Sequence, residues 1–197
     1  MGIEAELKYV PAADISADDV FGNELVLPFR GEIRRIEMHT RYLDTADGLA
    51  RKNGLALRVR TENGISVYTA KCGKRADGAL SVRSEWNVPG KNTAQGLDGL
   101  EKAGAPCAFL KGQELLITSE IKFTRLESDV TPRMGFSFAL SYDEGFFGKD
   151  KPFSEIELEL KKGTEEDLEN YGKLLSEKLS LRAETRSKFV RAMEYGK

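Results

Sequence analysis

The 197-residue chain is 40% hydrophobic and 31% charged, enough apolar residue for one buried core and too much for a disordered segment. Thirty Lys and Arg against thirty-two Asp and Glu leave a net charge of only −2, so no global field recommends nucleic acid or an anionic membrane as a partner. Two cysteines, Cys72 and Cys107, are too few for a disulfide framework and lack metal-ligand spacing. With neither a run of about 20 apolar residues nor a leader-like start, the expectation is a cytoplasmic protein.

No repeat or low-complexity tract interrupts the chain, so its elements follow from hydrophobic period. Glu4 to Val10 alternates as a strand, Ser16 to Gly22 suggests a short helix, His39 to Leu43 a second strand, and Thr45 to Asn53 another short helix. Ala56 to Arg60 and Ser66 to Lys71 alternate again around "ENG" at 62 to 64, and "ADG" at 76 to 78 leads into Leu80 to Val88. Both tripeptides predict hairpin turns. Residues 89 to 118 read as a Gly-rich insertion with a helix at Asn92 to Lys102. Ser119 to Leu126 is a weaker strand, Phe136 to Tyr142 a clear one, and "DEG" at 143 to 145 predicts a third hairpin turn before Ser154 to Lys161. Thr164 with Asp167 resembles a capping box, and Leu168, Tyr171, Leu175 and Leu179 continue it as a helix of about four turns. Phe189, Val190 and Met193 mark one or two further turns. Strands first and helices last predict a single α+β domain over residues 1 to 197, with a mainly antiparallel sheet whose eight strands could close into a barrel.

Side chains alternate across a strand, so each strand divides into two faces. Glu4, Glu6 and Lys8 oppose Ala5, Leu7 and Tyr9; Arg58 and Arg60 oppose Leu57 and Val59; Thr69 and Lys71 oppose Tyr68 and Ala70. Arg83, Glu85 and Asn87 oppose Val82, Ser84, Trp86 and Val88, while Glu155, Glu157, Glu159 and Lys161 oppose Ile156, Leu158 and Leu160. For one strand the ordinary reading is a solvated face on a half-exposed sheet. Five such strands with little neutral filler weaken it, because three glutamates in a row repel unless cations sit among them. Oxygen-only clusters suit hard Mg²⁺ or Mn²⁺, and clustered Arg and Lys suit phosphate oxygens; together they describe a site for a metal-chelated polyphosphate.

Other chemistries lack their parts. The single histidine, His39, has no matched nucleophile, and neither glycine-rich phosphate-loop pattern occurs. Trp86 and most tyrosines fall on apolar faces, away from the basic groups that nucleic-acid stacking would need.

The E-x-E-x-K of Glu4, Glu6 and Lys8 is the first of several motifs in matching order: "RYLDT" at 41 to 45, "GLALRVR" at 54 to 60, "YTAK" at 68 to 71, "VRSEWNV" at 82 to 88, "SYDEG" at 141 to 145, "SEIELELKKG" at 154 to 163 and "RSKFVRA" at 186 to 192. Together they span nearly the whole chain and resemble the CYTH superfamily of triphosphate tunnel metalloenzymes, most of all the bacterial inorganic triphosphatases. The resemblance implies an eight-stranded antiparallel β-barrel forming a charged tunnel with helices packed outside, and Mg²⁺- or Mn²⁺-dependent activity on a small triphosphate. It implies Glu4, Glu6, Glu157 and Glu159 as leading metal ligands, and Glu155, Glu85 and Asp143 as second-site or water-orienting groups. It also implies Lys8, Arg58, Arg60, Lys71, Arg83 and Lys188 as phosphate-binding. Where relatives carry two basic residues two apart on the sixth strand, Lys122 and Arg125 are three apart; Arg125 is expected inside unless a bulge turns Lys122 inward. Metal-assisted hydrolysis without a usable histidine predicts an alkaline optimum. An adenylate cyclase, a thiamine or nucleoside triphosphatase and a non-catalytic polyphosphate-binding module stay open, as does a homodimer.

Overall fold

The computed structural model describes residues 2–12 and 14–195, with the Lys74 side chain outside the description. Eight antiparallel strands form the body: β1 (Gly2–Val10), β2 (Arg34–Asp44), β3 (Leu55–Glu62), β4 (Ile65–Asp77), β5 (Leu80–Pro89), β6 (Leu116–Arg133), β7 (Phe136–Phe147) and β8 (Lys151–Lys162). They pair in the order β5-β4-β3-β2-β6-β7-β8-β1, and β1 pairs again with β5, so the sheet closes on itself. Closure removes the sheet edges that would otherwise template aggregation. A two-residue strand, β9 (Arg182–Ala183), adds to the end of β1.

Five helices pack around the barrel: α1 (Ala17–Phe21), α2 (Leu49–Lys52), α3 (Thr93–Lys102), α4 (Glu165–Lys178) and α5 (Lys188–Tyr195). Thr164 accepts from the Asp167 amide while the Asp167 carboxylate accepts from the Thr164 amide, the expected capping box, and Ser16 with Asp19 makes the same box on α1. α4 lies close against β1 because Gly172 faces Leu7 and Tyr9, where a Cβ would overlap both side chains.

Three apolar clusters hold the layers together. Leu7, Tyr9, Phe138, Leu158, Leu168 and Leu175 belong to the largest, between the outer face of β1, β7 and β8 and helix α4. Leu57, Tyr68, Ala70, Trp86 and Leu100 belong to a second, under α3; Leu97, Ala105 and Leu110 of segment 93–110 pack there too, with Cys107 as a buried core residue. The third contains inner-facing Met38, Tyr42, Phe123, Phe147 and Phe153 together with Ala192, so α5 closes one end of the barrel. No helix among the described residues is long and apolar enough to cross a membrane.

Two hairpin turns fall where expected, at 63–64 and 78–79, but "DEG" lies inside β7 rather than in a turn. The chain reverses instead at 148–150. Gly145 is there for contact: a Cβ would overlap the Lys122 carbonyl oxygen and Phe123 of neighbouring β6. Several strands also run past their expected ends. β2 begins at Arg34, where Arg35, Glu37 and His39 face solvent and hide the alternation of Ile36 and Met38, and β6 extends to Arg133.

Candidate active site

The barrel encloses a cavity of about 360 Å³, within the size range of small-molecule sites. β1 contributes Glu4 and Glu6, β3 Arg58 and Arg60, β4 Lys71, and β5 Arg83 and Glu85. Arg125 arrives from β6, Glu157 and Glu159 from β8, and Lys188 from the first turn of α5. The charged faces that alternate in the sequence therefore meet in one enclosed volume, and their apolar partners point out to the helices. Lys8, Asp143 and Glu155 also point inward, yet at 1%, 0% and 0% exposure they lie behind the cavity wall. Arg125 is buried, while Lys122 faces solvent beside Glu120. His39 pairs with Glu120 at 2.8 Å on the outer, half-exposed surface, so no histidine reaches the cavity.

The charges fall into two groups. In the first, Lys71 Nζ lies 2.7 Å from both Glu4 oxygens and 3.4 Å from Glu85. Arg83 reaches Glu6 at 2.6 Å and Glu4 at 3.3 Å, and Lys8 donates to Glu6 at 3.2 Å. In the second, Arg125 makes a bidentate pair with Asp143 at 2.7 and 2.8 Å and reaches Glu157 at 2.5 Å. Lys188 lies 2.9 Å from Asp143 and 2.8 Å from Glu157, and also bonds Glu155. Arg191 bonds the other Glu155 oxygen.

These groups are unevenly balanced. Burial would raise the Glu157 carboxyl, but Lys188 and Arg125 outweigh it and hold its pKa well below the usual range. Burial likewise opposes the Lys188 charge, and Asp143, Glu155 and Glu157 more than restore it. Arg60 has no such compensation. Its contacts are the Thr40 hydroxyl at 3.2 Å and Glu62 at 3.5 Å, and burial with neighbouring Arg58 and Arg125 brings its pKa down to about 10. Burial and Arg58 also lower Lys71, against the opposing charges of Glu4, Glu6 and Glu85. Arg58 comes no closer to a carboxylate than 3.6 Å, at Glu85, and its buried Nε lacks a partner among the described groups. Arg58 and Arg60 thus form a wall short of negative charge, next to Lys71 with its Glu4 and Glu85 partners, where a polyanion's oxygens would be favourable.

Glu159 has the opposite deficit. Burial raises its pKa, its partner Lys161 sits at the half-exposed rim, and the charges of Glu4 and Glu85 raise it further. Converging oxygen-only carboxylates of this kind fit a hard divalent cation. Asp143, Glu155 and Glu157 make a tighter trio, with ligand atoms within 4.8 Å of one another. Arg125, Lys188 and Arg191 already match its three charges. That trio already holds its cations, and of the remaining inward carboxylates Glu4 and Glu6 are paired with Lys71, Arg83 and Lys8, whereas Glu159 has only Lys161 at the rim.

Sequence reasoning missed part of the wall. Glu62 and Glu127 line the cavity, and Ile36, Met38, Val67 and Phe189 give it an apolar side, with Phe189 packed on Tyr42 at 4.8 Å between ring centroids. Strand parity could have found Glu127, two residues beyond Arg125. Arg191 sits one helical turn beyond Lys188, on a helix whose visible signal was its apolar residues.

A family model described as CYTH domain matches residues 2–193. No protein of curated function matches the chain. Among solved structures, the chain is similar to Hippeastrum HpAC1, described as a candidate adenylyl cyclase that reveals a dominant triphosphatase activity, with TM-score 0.70, 19% identity and coverage of 97% of this chain and 95% of that one. It is also similar to protein PH1819 of Pyrococcus horikoshii, with TM-score 0.58, 22% identity and coverage of 97% and 98%. A candidate adenylate cyclase of Bacillus halodurans gives TM-score 0.56, 17% identity and the same two coverages. At these identities the likeness establishes the fold.

Proposed function

The chain belongs to the CYTH domain family, and from that premise we propose that it hydrolyses inorganic triphosphate to pyrophosphate and phosphate with Mg²⁺ or Mn²⁺. The observation that carries this reading is that one enclosed cavity is lined both by Arg58 and Arg60, which lie no closer than 3.5 Å to a carboxylate, and by Glu159, whose one cation, Lys161, sits at the half-exposed rim. A metal-chelated triphosphate supplies both deficits at once. The triphosphatase activity described for HpAC1 agrees with it.

Glu4, Glu6 and Glu159 would hold the metal, and Glu157 would join them only by releasing Arg125 or Lys188; the metal when bound would polarise phosphoryl oxygens and lower the pKa of coordinated water. Arg58, Arg60, Lys71 and Arg83 receive the phosphate chain, while Arg125 and Lys188 neutralise charge that grows on the equatorial oxygens of the transferred group. Glu85, held down in pKa by Lys71 and Arg58 against its burial, stays ionised and accepts a hydrogen bond from the attacking water. Lys8, enclosed behind Glu6, fixes that carboxylate rather than touching substrate. Asp143 and Glu155 serve Arg125 and Lys188.

A second reading draws on the apolar side. Met38, Tyr42 and Phe189 could seat the organic part of a nucleoside or thiamine triphosphate. Purified protein assayed with tripolyphosphate, ATP and thiamine triphosphate, each with Mg²⁺ and Mn²⁺, separates these. Phosphate release fastest from tripolyphosphate is expected, with an alkaline optimum. A cyclic nucleotide product, or faster turnover of an organic triphosphate, replaces the proposal with the second reading. Binding without any phosphate release makes the protein a polyphosphate-binding module. Glu4→Gln should lower metal-dependent kcat at least about a hundredfold, in the range of lost transition-state electrostatics; unchanged activity removes Glu4 from the metal site.

A further inference from the structure

We infer that Arg191, which touches neither the cavity nor any group assigned to substrate, is a positioning residue that keeps the Lys188 ammonium available at the cavity wall by sharing Glu155 with it. The inference rests on the polyphosphate-binding reading of this same cavity.

Lys188 and Arg191 are three residues apart on α5, so both leave the same face of the helix. Both are buried, at 7% and 5% exposure, and both end on Glu155, one on each oxygen. Glu155 itself is 0% exposed. Arg191 is fixed from three further directions: its guanidinium lies 4.7 Å from the Phe147 ring centroid and 5.6 Å from that of Phe153, and its Nε lies 3.7 Å from Glu184. Glu184 in turn binds Arg186 through both oxygens, and its amide donates to the Lys8 carbonyl of β1 at 2.9 Å. Arg191 therefore joins the helix to the strand that carries Glu4 and Glu6.

The charges explain what it does there. Asp143, Glu155 and Glu157 lie within 4.8 Å of one another, and Arg125, Lys188 and Arg191 are the cations among them. With Arg191 present, one of Glu155's oxygens is occupied and, with Glu155 ionised, the six groups sum to zero. Without it, a buried carboxylate would be left with Lys188 alone, and the cluster would carry a net negative charge beside the cavity. Lys188 would then be drawn toward Glu155, and the potential felt by an incoming polyphosphate would be less favourable. A side chain well removed from the substrate thus sets how much of the Lys188 charge reaches it.

The test is calorimetric titration of the full chain with tripolyphosphate in chelator, where affinity is read without turnover. Arg191→Gln is expected to weaken binding about tenfold. The charge-balanced double variant Glu155→Gln with Arg191→Gln should return to within about threefold of the wild type. In a Lys188→Gln background, adding Arg191→Gln should change affinity by less than about twofold, because the residue it acts through is gone. A folded Arg191→Gln protein with wild-type affinity overturns the inference. So does a folded double variant that stays as weak as the single one, since Arg191 would then only anchor the helix. If Arg191→Gln does not fold, the double variant decides alone by the same threefold and tenfold criteria. A wild type that binds tripolyphosphate but never hydrolyses it sinks the hydrolytic reading and leaves this one standing; a wild type that does not bind it sinks both.

Discussion

Arg60 is charged at a cost that the ligand-free fold does not recover. An arginine whose pKa is pushed below its unfolded value by burial and by two other guanidiniums destabilises the folded state, and an anion relieves that cost. Arg60→Met should therefore raise the melting temperature of the ligand-free protein while weakening tripolyphosphate binding about ten- to hundredfold, the usual worth of hydrogen bonds between charged groups. Thermal melts and titrations on the same preparations check both halves. A variant that melts lower and binds as the wild type would show that Arg60 is a structural cation satisfied by Glu62. The same residue shows what the sequence could convey. Arg58 and Arg60 alternate with Leu57 and Val59, so their shared face was legible, but no pattern along one strand could show that Arg60 meets only a hydroxyl and a distant carboxylate.

At the scale of elements, period carried most of the information wherever one face of a strand was apolar. β1 and β5 were read nearly end to end, and β3 and β8 over their central residues. The reading failed where physics inverted the usual cues. Along β2 the solvent-facing side is Arg35, Glu37 and His39 and the inner side Ile36 and Met38, yet that start reads as a charged loop. On α5 the apolar residues drew attention, while its most buried side chains include Lys188 and Arg191 because their partners lie inside the barrel. Gly145 was read as a turn because glycine usually supplies backbone freedom, whereas here it supplies the absence of a side chain between β6 and β7. Gly145→Ala should then cost about 1–3 kcal/mol, as overpacking against backbone does, and lower the melting temperature by several degrees. Substitution of Gly148, in the actual turn, tests the contrast from the side of conformation, since its φ of 61° penalises a side chain for a different reason. Gly145→Ala melting like the wild type would mean that the two strands part without penalty.

For the whole molecule, closure of the barrel turns the separately modest charged faces of its strands into one enclosed field, and that field determines how stability responds to pH and metal. Two sets of carboxylates oppose each other. Glu85, Glu157 and Glu184 are held below their unfolded values; Lys71 and Arg58 outweigh burial at the first, Lys188 and Arg125 at the second, Arg186 and Arg191 at the third. Their stabilisation is present above about pH 4.5 and is lost as pH falls below it. Burial raises Glu159 and takes Glu155 up to about 7, so the folded state holds protons that the unfolded chain has released, and stability declines as pH rises through the folded values. Metal-free protein should accordingly be most stable on the mildly acidic side of neutrality. A divalent cation held by Glu159 and its neighbours replaces the missing proton, so millimolar Mg²⁺ should raise the melting temperature more at about pH 8 than at about pH 5.5. Glu159→Gln should melt higher than the wild type in chelator at the higher pH and lose most of the Mg²⁺ increment. An increment equal at both pH values, or one that survives in Glu159→Gln, would place the metal away from this carboxylate and leave its raised pKa as a property of burial alone.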